Sequence, residues 1–147
     1  FFDNARRKHG ALMHEVLSRI RTRKDIPQSV ERYHQEGVID KEEAIALVAR
    51  LEELLNLPEA ASWYDGTARV LNEVDILFGK GLSKRPDRVM ITGNRVVVVD
   101  YKFGEHADQR YHSQVRNYLK LIRQMGYDGV EGFLWYVELN KIEAVKG

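Results

Sequence analysis

The sequence predicts an α/β fold with an N-terminal helical cap of about 60 residues followed by a sheet-forming half. Three observations carry this expectation. Before Pro58, apolar residues recur at helical spacing; after Asp65-Gly66 they gather in short β-branched runs, notably Val96-Val97-Val98-Val99; and one further helical stretch, near 108–125, separates the earlier strands from the later ones.

Each element has its own local reason. A first helix is expected from Ala5 to Thr22, where Met13, Val16, Leu17 and Ile20 form an apolar stripe. Pro27 interrupts, and a short helix ends near Gly37. Asp40 followed by Glu43 has the spacing of a capping box and starts a helix with Ala44, Leu47, Val48, Leu51, Leu54 and Leu55 on one face. Pro58 ends it, and Asp65-Gly66 marks the turn into the sheet. Strands are expected near 68–78, 85–92 and 95–103, a helix from Asp108 to Met125, and strands near 130–138 and 141–145 around Asn140. In the first strand the even positions Val70, Val74, Ile76 and Phe78 read as core-facing, with Glu73 and Asp75 on the opposite side. No repeat, low-complexity tract or linker divides the chain, so it reads as a single domain, with 1–64 as cap and 65–147 as core.

Composition sets limits. The 147 residues are 44% hydrophobic and 31% charged, which fits a soluble globular domain rather than a disordered chain. The longest purely apolar run is the valine strand, far short of the ~20 residues a membrane span needs. A cytoplasmic protein is expected, and a start at Phe1-Phe2 without methionine suggests a piece of a longer one. Zero cysteines exclude disulfides, thiolate zinc sites and a cysteine-ligated iron–sulfur cluster. Net charge is only +1, but seven Lys/Arg stand against Glu15 alone between Arg6 and Lys24, and five stand against Glu105 and Asp108 between Lys102 and Arg123. Such clusters face either phosphate or solvent.

The most informative segment joins Arg85-Pro86-Asp87 to Asp100-Tyr101-Lys102. If Gly93-Asn94 is a two-residue hairpin loop, Thr92 faces Arg95, and cross-strand partners are those whose numbers sum to 187. Asp87 then faces Asp100, and Lys102 lies two residues further along the same face. Opposed carboxylates repel unless something positive sits between them, and a divalent cation is the natural candidate. Hard oxygen ligands suit magnesium, with manganese as a substitute; such an ion acidifies water and offsets charge on a phosphate, and a lysine can assist from the other side. The competing reading is a hairpin with charged ends in solvent.

Pro86-Asp87, the stretch from Val96 to Gly104 and Gln114-Val-Arg-Asn-Tyr118 resemble the PD-(D/E)xK nucleases, in particular the RecB-like branch found at the C-terminal ends of helicase-nucleases. Gly10-Ala-Leu-Met-His14 resembles that branch's N-terminal glycine-to-histidine motif, and Val70-Leu71-Asn72-Glu73 its first core strand. The resemblance implies a restriction-endonuclease-like core with a central mixed sheet flanked by helices. It implies a metal held by Asp87, Asp100, the Tyr101 carbonyl and His14, with Lys102 and Glu73 completing the catalytic set. Asp75 competes with Glu73, and a packed core histidine is the alternative for His14. It further implies that Gln114 and Tyr118 help hold the substrate strand or Lys102, although Tyr118 also fits the apolar stripe of its helix; with them, Arg85 and Arg116 are expected to contact DNA. His106 and His112 read as surface residues.

The function implied is a magnesium-dependent deoxyribonuclease, exonuclease rather than endonuclease, serving DNA repair or recombination. Its partners would be DNA, the helicase domains of a parent polypeptide and possibly a second subunit, with no membrane association. The alternative is a nuclease fold that has lost activity and binds DNA or acts as a scaffold. No Gly-x-x-x-x-Gly-Lys-Ser/Thr loop, Gly-x-Ser-x-Gly elbow or His-Glu-x-x-His pair supports another chemistry.

Overall fold

A computed structural model describes residues 2–72, 85–104 and 108–147, which form two compact units, Phe1–Thr67 and Ala68–Gly147.

The N-terminal unit is helical. Helix α1 spans Phe2–Arg19, α2 Ile26–Gln35 and α3 Lys41–Leu55. The expected stripe is buried: Met13, Val16, Leu17 and Ile20 are each at most 1% exposed. Helix α1 stops three residues before the expected Thr22 because Asp25 captures the chain there. Its Oδ2 accepts from the backbone N–H groups of Arg21 and Thr22 at 2.9 and 3.0 Å, which nucleates a 3-10 turn over Arg23–Asp25. Pro27 sits in the first turn of α2, where a missing N–H costs nothing. The capping box of α3 is present in both directions: Glu43 N–H donates to Asp40 Oδ1 at 2.8 Å, and Asp40 N–H to Glu43 Oε1 at 3.1 Å.

The second unit is a five-stranded mixed sheet with strands in chain order: β1 Arg69–Asn72, β2 Arg88–Thr92, β3 Arg95–Lys102, β4 Gly129–Tyr136 and β5 Lys141–Val145. Neighbours are antiparallel except β3 and β4, which run parallel and are joined through helix α4, Gln109–Gln124. The β2–β3 ladder runs from Thr92↔Arg95 to Arg88↔Val99. That is the register read from the Gly93-Asn94 turn, and Gly93 takes φ +59, as a two-residue hairpin with glycine first requires. Strand β4 ends two residues before the expected 138, because Val137–Leu139 form a 3-10 turn that Asn140, at φ 52, reverses into β5.

Helix α4 covers one face of this sheet. Its Val115, Tyr118, Leu119 and Ile122, all at most 1% exposed, pack with Val89, Val96, Val98 and Leu134. Burying each of these large apolar side chains contributes on the order of 1.5–3 kcal/mol. Gly132 permits the approach, since a Cβ there would lie 2.6 Å from Val115 Cγ1. The opposite face is also buried, with Met90, Val99, Tyr101 and Trp135 at most 3% exposed. A sheet buried on both faces carries no alternation to say which parity is core. Thus Leu71, not Val70, packs on the α4 side, and Val70 pairs with Met90 on the other.

Candidate active site

The α4-facing side of the sheet turns from apolar to charged at the C-terminal end of β3. Val96 and Val98 belong to the core under α4; Asp100 and Lys102 continue the same face, and Leu134 and Tyr136 stand beside them on β4. Asp87 lies one residue before β2, at the position that continues the ladder toward Asp100.

Each carboxylate accepts a hydrogen bond from the backbone at the other's strand end. Asp87 N–H donates to Asp100 Oδ1 at 2.9 Å, and Tyr101 N–H donates to Asp87 Oδ2 at 2.8 Å. These charge-assisted bonds lock both side chains in place and offset part of the cost of holding two negative groups together, with Asp100 only 1% exposed. The amide donors thus contribute positive partial charge that an argument from the opposed acids alone leaves out.

Lys102 is held by α4. Its ammonium lies 3.4 Å from Gln114 Oε1 and 4.4 Å from the centre of the Tyr111 ring. Gln114 Nε2 donates in turn to the Tyr118 hydroxyl at 3.1 Å. Burial pushes the Tyr118 phenol well up, and the charges of Asp100 and Asp87 push it the same way, against the donation from Gln114. Tyr118 is 1% exposed and belongs to the core under α4, where its hydroxyl meets Gln114.

The structure brings together Asp87, Asp100, Lys102, Gln114 and Tyr118. The Tyr101 side chain points to the other face, where it meets Trp135 edge to face at 6.0 Å. Arg116 is exposed and donates to Ser113 Oγ at 3.1 Å, and Arg85 is exposed beside the buried Pro86. His14 belongs to the N-terminal unit; it is half-buried on α1, and its carbonyl accepts from Ser18 Oγ at 2.7 Å. Glu73, Asp75 and His106 lie outside the described residues.

Two further residues escape a reading by motif. Tyr111 lies three residues before Gln114 and seven before Tyr118, a helical spacing that places all three on one face. His112, expected as a surface residue, is only 24% exposed, and its Nε2 lies 3.1 Å from Glu143 Oε2 on β5. No local pattern joins these two, because 31 residues separate them.

The donor set fits a hard divalent ion. Among the described residues no group of three or more His, Cys, Asp or Glu gathers. Two adjacent carboxylates are nevertheless the usual protein share for magnesium, which keeps waters and takes phosphate oxygens for the rest.

A five-stranded mixed sheet with this α4 crossover is consistent with a restriction-endonuclease-like α/β fold. The sequence matches the PD-(D/E)XK nuclease superfamily over residues 2–147, and the chain belongs to that superfamily, whose members typically use divalent metals. No curated protein matches the chain. Among the described residues no helix is long and apolar enough to cross a membrane.

Proposed function

We propose that this chain is a magnesium-dependent deoxyribonuclease domain, with manganese as a working substitute. The observation that carries the reading is the pair Asp87 and Asp100, locked by reciprocal backbone hydrogen bonds, with Lys102 two residues on along the same face. The two carboxylates would hold the ion, which when bound would acidify a water and neutralise charge on the scissile phosphate. Lys102 then does what the chain itself contributes to the transition state. Its ammonium, seated over Tyr111 and against Gln114, offsets the extra negative charge on the phosphorane without having to reorganise. Gln114 and Tyr118 hold Lys102, and Arg85 and Arg116 supply exposed cations to DNA phosphates. The Tyr101 carbonyl, His14 and Glu73 are proposed as further donors on the strength of the motif resemblance alone.

The same resemblance supports a place in a larger ATP-driven helicase-nuclease of DNA repair or recombination, located in the cytoplasm and cutting from ends. The experiment is cleavage of end-labelled linear and circular single-stranded DNA with magnesium, manganese or chelator, comparing wild type with Lys102→Ala. Metal-dependent cutting of linear but not circular DNA that disappears in the variant is expected. Metal binding and cleavage both absent would overturn the reading in favour of a scaffold.

A further inference from the structure

We propose that His112 and Glu143 form a clamp that positions Lys102, by fastening the first turn of α4 onto β5 so that Tyr111 and Gln114 keep the ammonium in place. The effect on cleavage rests on the nuclease reading; the effect on Lys102 itself does not.

Helix α4 is not held equally along its length. From Val115 onward it is seated by fully buried side chains on Gly132. Its first turn is seated more lightly: Gln109 and Arg110 are exposed, His112 is half-buried, and Tyr111 packs against the edge of the core without being fully buried in it. Yet this turn carries the aromatic seat of Lys102, and the next carries Gln114. A tie from this turn to the sheet is the contact of His112 Nε2 with Glu143 Oε2 at 3.1 Å.

The far side of the clamp is itself pinned. Lys141 Nζ lies 2.9 Å from Glu143 Oε1, so the carboxylate is gripped through both oxygens and cannot swing toward solvent without losing a partner. Accordingly the Glu143 carboxyl is held below the usual carboxylate range, by the Lys141 hydrogen bond first; burial opposes this, and the His112 contact adds a smaller pull in the same direction as Lys141. Strand register connects the clamp to the site: Tyr136 pairs with Lys102 on β3 and with Lys141 on β5. The Tyr136 side chain is 2% exposed, and its phenol is pushed up by burial, then by Glu143 and Tyr111. Adjacent backbone positions in a helix move together, so a first turn fixed at His112 is fixed at Tyr111. His112 is thus a positioning residue, acting through Tyr111 and Gln114, not a catalytic one.

The test uses the full chain with carbon-13-labelled lysine, the Lys102 ε-methylene signal being assigned by its loss in Lys102→Arg. In the wild type the Tyr111 ring current displaces this signal from the ordinary lysine position. His112→Ala is expected to return it toward that position and to slow single-turnover cleavage by about tenfold, with DNA affinity changed less than about twofold. His112→Gln, whose amide can still donate to Glu143, is expected to restore both. Glu143→Ala, which removes the acceptor from the other side, gives a second route should the His112→Ala variant fold poorly, and it is expected to move the signal the same way. In a Lys102→Ala background, His112→Ala should slow residual cleavage no further. An unmoved Lys102 signal in both His112→Ala and Glu143→Ala, or a full additional loss in the Lys102→Ala background, would overturn the clamp. A moved signal in a protein that neither binds metal nor cleaves DNA would uphold the clamp and defeat the nuclease reading.

Discussion

Asp87 and Asp100 each accept a hydrogen bond from the backbone at the other's strand end, Asp87 N–H to Asp100 Oδ1 at 2.9 Å and Tyr101 N–H to Asp87 Oδ2 at 2.8 Å. The pair is therefore held by backbone donors, and its geometry does not depend on long flexible side chains finding one another.

Removing the ammonium should separate chemistry from binding. Lys102→Ala is expected to keep the fold and DNA affinity, since Lys102 is only part-buried, while single-turnover cleavage falls by about 10²–10³-fold, the usual cost of losing one preorganised donor to a transition state. Cleavage within a few-fold of wild type would remove the lysine from the mechanism.

Metal binding should appear as stability. At magnesium concentrations about a hundredfold above Kd, the folded state gains about 2.7 kcal/mol by mass action. A rise in Tm on adding magnesium is expected for wild type and none for Asp100→Asn. In chelator the order reverses: the asparagine variant keeps an acceptor for Asp87 N–H but relieves the carboxylate repulsion, so its Tm should exceed wild type by about 2–4 °C for each kcal/mol relieved. A metal-free Tm below wild type for both Asp87→Asn and Asp100→Asn would show that the charge-assisted bonds outweigh the repulsion.

Tyr118→Phe removes the hydroxyl that accepts from Gln114, leaving that amide free to drift from Lys102. A stability loss of about 1 kcal/mol in urea titration is expected, with kcat reduced more than KM. Unchanged kcat would leave Tyr118 as core packing alone.

Gly132→Ala drives a methyl into Val115 and Leu119, with the nearest atom at 2.6 Å and the others at 3.0 and 3.1 Å. Overpacking of this kind costs about 1–3 kcal/mol, and it lifts the helix that carries Gln114 and Tyr118. Both the urea midpoint and the cleavage rate should fall; a neutral result would mean that α4 can shift without strain.

The acid limb of stability should report Glu143. Its carboxyl titrates lower folded than unfolded, so its contribution is present above the ordinary carboxylate range and fades as pH falls through the folded value. Glu143→Gln should therefore flatten the loss of stability on acidification relative to wild type, measured by urea midpoints between neutral pH and the acid transition. Identical slopes would show that the carboxylate has no net folded-state partner.

By itself, the sequence determined whatever is written in local patterns. The Gly93-Asn94 turn set the β2–β3 register, because a two-residue loop leaves the strands one way to pair; the capping box of Asp40 and Glu43 set the start of α3; and the four-residue spacing of Gln114 and Tyr118 put both on one helical face. Tertiary structure alone decided the rest. Which parity of β1 faces α4 is invisible when both faces of a sheet are buried. The reciprocal amide bonds that hold Asp87 and Asp100, the ring of Tyr111 beneath Lys102 and the pairing of His112 with Glu143 join groups brought within reach only when strands pair and α4 docks. Short-range patterns constrain dihedral angles and faces, while contacts across long separations exist only once loop closure has been offset by the burial of a common core.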